Sequence, residues 1–196
     1  MSKSKYIRDD AERYHENNID IANRRVYVPG EITDESAAEF IKNMQLLGGD
    51  TNTINIRINC VGGLELDAWG MYDAIRQCKG SVVGLVDGCC MSAAVNLLLA
   101  CDLRQATEHS TFMLHIGEAE MAPQHKLNIY NAVDFTRDVI DEWSWKLYSK
   151  AMGVTKTKAR KLFSFDVFYT AEQALQLGLI DEIVVNPEPT WLKEKK

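Results

Sequence analysis

The stretch Thr53-Ile54-Asn55-Ile56-Arg57-Ile58-Asn59, followed by Cys60-Val61-Gly62-Gly63, decides the fold class. Isoleucines alternate with polar residues at period two, which places Ile54, Ile56 and Ile58 on one side of a strand. The chain then turns at the paired glycines and enters a helix marked by Leu66, Trp69, Tyr72 and Ile75. Ser81 to Val86 follows as a short, mostly apolar strand of the kind buried in a parallel sheet, and Gly88 breaks it. Strand, turn, helix, strand is the repeating unit of an α/β domain.

The same alternation extends both ways. Upstream, Arg25 to Pro29 reads as a strand and Thr33 caps a helix with Asp34 and Glu35 in its first turn. Its apolar face is Ala37, Phe40, Ile41, Met44 and Leu47, and Gly48-Gly49 ends it. Downstream, Ser92 begins an apolar helix from Ala93 to Ala100, and Arg104 to Thr107 and Thr111 to His115 read as short strands. A long amphipathic helix runs from about His125 to Ala151, with its stripe at Leu127, Tyr130, Val133, Val139, Ile140, Trp143, Leu147 and Met152. Trp143, Trp145 and Tyr148 cannot all face one core, which assigns the surplus, Trp145 foremost, to subunit contacts or to the surface. A basic helix from Lys156 to Phe163 leads to the loop Ser164-Phe165-Asp166. Thr170 to Gln173 matches a capping box, Gly178 ends that last helix, and Leu179 to Val184 is the final strand. The fold class is therefore α/β, with a mainly parallel sheet and right-handed crossovers. Residues 1–24 are read as a polar N-terminal arm, 25–186 as the packed domain and 187–196 as a tail.

Composition bounds the function. The 196 residues are 46% hydrophobic and 26% charged, the balance of one globular domain, and the net charge of -6 offers no field for a nucleic-acid backbone. The longest apolar stretch, Ala93 to Cys101, is interrupted by Asn96 and is too short for a membrane span. The basic N-terminus has no apolar run behind it, so the reading is a cytoplasmic protein without a secretory signal. Five cysteines, odd in number and without a C-x-x-C pair, indicate neither a disulfide framework nor a zinc site. Cys89-Cys90 reads either as a redox pair or, more commonly, as small buried thiols. No metal or cofactor is called for.

Sites in parallel sheets lie in the loops after the strands, and three such loops carry chemistry here. Asn59 to Gly63 lets backbone N–H groups approach a cleft without Cβ atoms in the way, or is simply a turn. Gly88-Cys89-Cys90-Met91-Ser92 places a hydroxyl at a helix start, where Ser92 is either an N-cap or a nucleophile beside oxyanion-stabilising N–H groups. The G-x-S-x-G elbow of α/β-hydrolases is absent there. His115 ends the apolar run Phe112 to Leu114, a position suited to a base held rigidly at a sheet rim, though a lone histidine of this kind is more often structural. Asp166, set among Phe165, Val167 and Phe168, is costly unless hydrogen-bonded, as a carboxylate orienting an imidazole would be. Asp102 and Asp181 are rival third members.

In this order the motifs resemble the Clp protease proteolytic subunit (ClpP) family, of the ClpP/crotonase superfamily, from about Arg25 to Val184. Asn59 to Gly63 resembles the family's N-S-P-G-G turn, with Val61 in place of proline. Gly88 to Ser92 is similar to its G-x-x-x-S segment, and Thr111 to His115 to its strand ending in M-I-H. From Asp166 to Asp181 the spacing matches D-x-F-x-(S/T)-A-x-E-A-x-x-x-G-L-(I/V)-D, with Gln173 at the glutamate position. Ile116 to Pro123 is acidic where the family has a glycine-rich strand.

The resemblance implies repeated β-β-α units, a long protruding helix and a serine endopeptidase. It implies Ser92 as nucleophile, His115 as general base and acid, Asp166 as the orienting carboxylate, and an oxyanion hole from the N–H groups of Gly63 and Ala93. It further implies peptide or unfolded-protein substrates, a homo-oligomer of two stacked heptameric rings, and an ATP-dependent unfoldase as partner. The chain itself has no G-x-x-x-x-G-K-(S/T) phosphate loop. A phage-type prohead maturation protease on the same fold and an inactive assembly subunit are the alternatives; the presence of all three triad residues disfavours the latter.

Overall fold

Ile54, Ile56, Ile58 and Cys60 are fully buried, while Asn55, Arg57, Asn59 and Val61 between them are not, so the period-two alternation becomes the central strand of a sheet. A computed structural model of the chain describes residues 17–115 and 126–187. Its elements are β1 (Ile19–Asp20), β2 (Arg25–Ile32), α1 (Asp34–Leu47), β3 (Ile54–Gly63), α2 (Glu65–Arg76), β4 (Val82–Met91), α3 (Ala94–Ala100), β5 (Leu103–Thr107) and β6 (Thr111–Leu114). After the undescribed stretch come α4 (Lys126–Phe135), a π turn (Thr136–Ile140), α5 (Asp141–Ala151), α6 (Lys156–Leu162), β7 (Val167–Thr170), α7 (Ala171–Leu177) and β8 (Glu182–Val184). Strands β1-β2-β3-β4-β5-β8 form the main order, and β6 joins β4 to β7. All pairings are parallel except β1 with β2 and β6 with β7. This is the mixed α/β fold with a mainly parallel sheet that the alternation implies.

Local signals explain the helix ends. Thr33 and Ser36 form a reciprocal capping box at α1, and Thr170 and Gln173 form another at α7, which Gly178 closes at a left-handed φ of 77°. The inner face of α1, Ala37, Phe40, Met44 and Leu47, joins Met71 and Ile75 of α2 and Leu97 and Leu98 of α3 in one continuous core over the sheet.

Four differences from the sequence reading have physical causes. First, β4 does not stop at Val86. Gly88 takes φ 133°, where a Cβ would lie 2.6 Å from Asn59 Oδ1, and the strand bends instead of ending. Its first half pairs with β5 and its second half, Cys89 to Met91, with β6. Second, β1 precedes Arg25: Ile19 is buried and pairs with Val26, so the sheet begins within the stretch read as an arm. Residues 1–16 and 188–196 lie outside the described residues, as do Ile116 to Pro123.

Third, β7 spans Val167–Thr170, to which the sequence reading assigns no element between the loop Ser164-Phe165-Asp166 and the last helix, and it is held there by antiparallel pairing with β6. Fourth, the long helix is present but is interrupted by the π turn, whose extra residue rotates the face that meets the core. Ile140, Ser144, Trp145 and Tyr148 are buried, whereas Tyr130, Val133 and Trp143 are exposed. The aromatic residue left over is thus Trp143, which packs edge-on against Trp69, and not Trp145. No helix among the described residues is long and apolar enough to cross a membrane.

Candidate active site

Two strand registers bring the site together. Met91 on β4 is opposite Met113 on β6, and Leu114 on β6 is opposite Val167 on β7. The residues one step beyond these pairs are Ser92, His115 and Asp166. The Ser92 N–H donates to Met113 O at 2.8 Å, which fixes the serine at the end of the β6 ladder.

Ser92 is not the N-cap of α3. Ala93 holds that position without a side-chain cap, and the Ser92 hydroxyl instead lies 2.7 Å from His115 Nε2. The backbone of Ser92 has φ 52°, a left-handed conformation that a non-glycine residue adopts at a cost of about 1–2 kcal/mol. That conformation turns the side chain out of the β4-to-α3 corner toward the imidazole. On the far side of the ring, His115 Nδ1 is 3.1 Å from Asp166 Oδ1. The carboxylate accepts from Nδ1–H, which leaves Nε2 as the acceptor for the serine hydroxyl, the tautomer a general base requires. The His115 side chain is 16% exposed and that of Asp166 58%, so the ring is enclosed and the carboxylate reaches it from the solvent side.

The rival aspartates have other partners. Asp102 accepts from Arg76 Nη1 at 2.9 Å and from the Val82 N–H at 2.8 Å. Asp181 accepts from the Arg104 N–H at 2.8 Å and from its guanidinium. Guanidinium and backbone donors hold both carboxyls below the usual range, and both tie strand ends together.

The first of the paired glycines packs against the serine. A Cβ on Gly62, at φ 97°, would lie 2.7 Å from Ser92 Cβ and 3.1 Å from Ala93 N, and Gly63, at φ 143°, packs on Ile32. Only glycine lets this backbone approach so closely. Gly63 and Ala93 line the same cleft as Ser92 and His115, a space of about 630 Å³ between the starts of α2 and α3 and the π turn with α5.

The five cysteines are free thiols. Burial pushes the Cys90 thiol well up and raises Cys60 and Cys89, so none of these is held as a reactive thiolate. His109 is exposed at the turn before β6, and His15 and His125 lie outside the described residues.

Three cleft residues carry no motif. Glu65 immediately follows the glycine turn, Asp141 opens α5, and Asn96 is the polar interruption in the apolar stretch of α3; all three line the cleft. The break at Asn96 was the available signal, since a polar side chain inside an apolar helix face needs a reason.

A family model described as Clp protease matches residues 10–187. An ATP-dependent Clp protease proteolytic subunit of Deinococcus radiodurans is 26% identical over 171 residues, covering 84% of this chain and 81% of that protein. A Chlamydia abortus ATP-dependent Clp protease proteolytic subunit 1 is 28% identical over 170 residues, covering 82% and 86%. A Pseudomonas aeruginosa subunit 2 is 25% identical over 169 residues, covering 83% and 82%. With a glycine turn, serine, histidine and aspartate gathered at one rim of a parallel sheet and the family model spanning nearly all of it, the chain belongs to the Clp protease family.

Proposed function

We propose that this protein is a serine endopeptidase in which Ser92 is the nucleophile, His115 the general base and then acid, and Asp166 the group that orients His115. The observation that carries this reading is the continuous chain from Ser92 Oγ to His115 Nε2 at 2.7 Å and from His115 Nδ1 to Asp166 Oδ1 at 3.1 Å. In the first step His115 Nε2 takes the hydroxyl proton as Ser92 Oγ bonds to the scissile carbonyl carbon. The carbonyl oxygen becomes an oxyanion, received by the backbone N–H groups of Gly63 and Ala93. Collapse breaks the C–N bond, and His115 passes its proton to the departing amine. A water deprotonated by His115 then attacks the Ser92 ester, releases the carboxylate product and restores the hydroxyl.

The substrates are peptides and unfolded proteins, the assembly is a homo-oligomer of two stacked heptameric rings, and an ATP-dependent unfoldase delivers the chain in the cytoplasm. The relatives named as ATP-dependent Clp protease proteolytic subunits support this partnership, as does the lack of a phosphate loop in this sequence. The test is fluorophosphonate labelling with mapping of the modified residue, together with peptide hydrolysis by Ser92→Ala. Modification at Ser92 and loss of turnover by about 10⁴- to 10⁶-fold are expected. Full turnover by Ser92→Ala would overturn the assignment.

A further inference from the structure

The wall of the cleft facing Ser92 offers acceptors. Glu65 and Asp141 are half-buried there, with Glu31 and Asp67 beside them, and no lysine or arginine is among the lining residues. Ser144 Oγ–H donates to Glu65 Oε1 at 3.0 Å, fixing that carboxylate toward α5 without neutralising it. Burial raises the carboxyl of Glu65, against the Ser144 hydrogen bond, and burial likewise raises that of Asp141, against the pull of Arg160, so both carboxyls are partly desolvated. An independent observation points the same way. Asn96 is 1% exposed, lines this cleft, and its Oδ1 has no hydrogen-bond partner. A buried carbonyl oxygen without a donor is a site that a bound group can complete.

The remaining wall is apolar, formed by Trp145 and Tyr148, which are buried and pack edge to face. Among the described residues no three His, Cys, Asp or Glu side chains converge on a point suited to a metal ion. An extended group with an apolar stem and a multi-donor cationic head matches this lining, and among amino-acid side chains only lysine and arginine have that form.

We propose that the cleft beside Ser92 is a subsite for a lysine or arginine side chain on the residue whose carbonyl Ser92 attacks, with Glu65 and Asp141 as its anionic partners and Asn96 Oδ1 as a further acceptor. The inference rests on the peptidase reading of Ser92, and the experiment separates the two. The full-length assembled protein is assayed on matched fluorogenic peptides carrying Arg, Lys, Leu or Glu before the scissile bond, alongside fluorophosphonate labelling of Ser92. The expected result is a kcat/KM at least about ten-fold higher for Arg or Lys than for Leu, with Glu poorest, since a charged hydrogen-bonded partner in a desolvated pocket discriminates by this much or more. In Glu65→Gln and in Asp141→Asn the Arg-to-Leu ratio falls about ten-fold, through KM and kcat together. If Ser92 is labelled and Leu peptides are cut faster than Arg peptides, or the ratio is unmoved in both folded variants, the subsite inference fails while the peptidase reading stands. If Ser92 is not labelled and no peptide is cut, the peptidase reading fails and takes the subsite with it. The wild-type ratio decides the matter even if a variant does not fold.

Discussion

His115 and Asp166 face one another one step beyond the last ladder pair, Leu114 with Val167, so the antiparallel register of β6 and β7 sets their 3.1 Å contact. The contact is long-range, 51 residues apart in sequence, and depends on only four residues in each strand. Asp166 itself is largely exposed and contributes little to packing. Asp166→Asn is therefore expected to fold with an unchanged melting temperature and to lose about 10²- to 10⁴-fold in kcat, because an amide no longer holds the Nδ1–H tautomer. Thermal unfolding and peptide kinetics on the same preparation check both halves.

Asp181 behaves in the opposite way. Its carboxylate clamps the start of β5 through the Arg104 N–H and guanidinium, far from the cleft, and hydrogen bonds from Arg104 hold it below its ordinary value of 3.8. A depressed folded value means that its stabilisation is present above the unfolded value and is lost as pH falls through the folded one. Asp181→Asn is expected to lower Tm at pH 7 while peptide hydrolysis per folded molecule persists. The Tm gap between wild type and variant should close as pH drops below about 3.8, the value at which the unfolded carboxylate protonates. A gap that is constant from pH 7 to pH 3 would show that the clamp is not electrostatic.

Elements with local chemistry were legible in the sequence. The alternation in β3, the capping residues Thr33 and Thr170, and Gly178 at a left-handed helix end each act within a few residues and read correctly. What escaped the sequence depends on partners far away. Nothing around Gly88 says that β4 will continue, because the continuation is supported by β6 and by Asn59 Oδ1, which accepts the Cys89 N–H from 30 residues away. The π turn at Thr136–Ile140 has no Pro or Gly to announce it, and its rotation of the helix face exchanged Trp143 for Trp145 in the core. Ser92, His115 and Asp166 were legible as candidates because Ser92 stands just before an apolar helix, His115 ends an apolar strand and Asp166 is a carboxylate among apolar neighbours. That Asp166 and not Asp102 or Asp181 meets His115 was settled by strand register, which the residues taken singly do not encode.

The left-handed backbone at Ser92 separates stability from chemistry. At φ 52° a Cβ is unfavourable, whereas glycine is at ease, so Ser92→Gly is expected to exceed Ser92→Ala in unfolding free energy by about 1 kcal/mol. Elsewhere glycine is the less stable of the two, which makes the sign diagnostic. Both variants are expected to be inactive. Denaturant titration of the pair measures the difference, and a Ser92→Ala protein as stable as Ser92→Gly would show that the corner relaxes once the hydroxyl is removed.

The first half of the long helix bears on assembly. Val133 is 43% exposed and Phe135 is 52% exposed on α4, on different faces, and Trp143 is 44% exposed on α5. Apolar side chains spread around a projecting helix cannot be buried by the body of one subunit, and contact with further copies would remove them from water on more than one side. Placing a carboxylate at such a contact costs desolvation without a partner, and the cost recurs at every symmetric copy. The full-length protein is therefore expected to sediment as a species many times the 22.2 kDa chain. Val133→Glu and Phe135→Glu should each shift it to smaller species while far-UV circular dichroism stays the same, since both side chains lie outside the core. Peptide hydrolysis should fall with the large species if neighbouring copies steady the wall of the cleft formed by the π turn and α5, where Ile140, Ser144 and Trp145 sit. Sedimentation velocity on wild type and both variants decides this: a monomeric wild type, or charged variants that sediment with it, would remove α4 from the assembly surface.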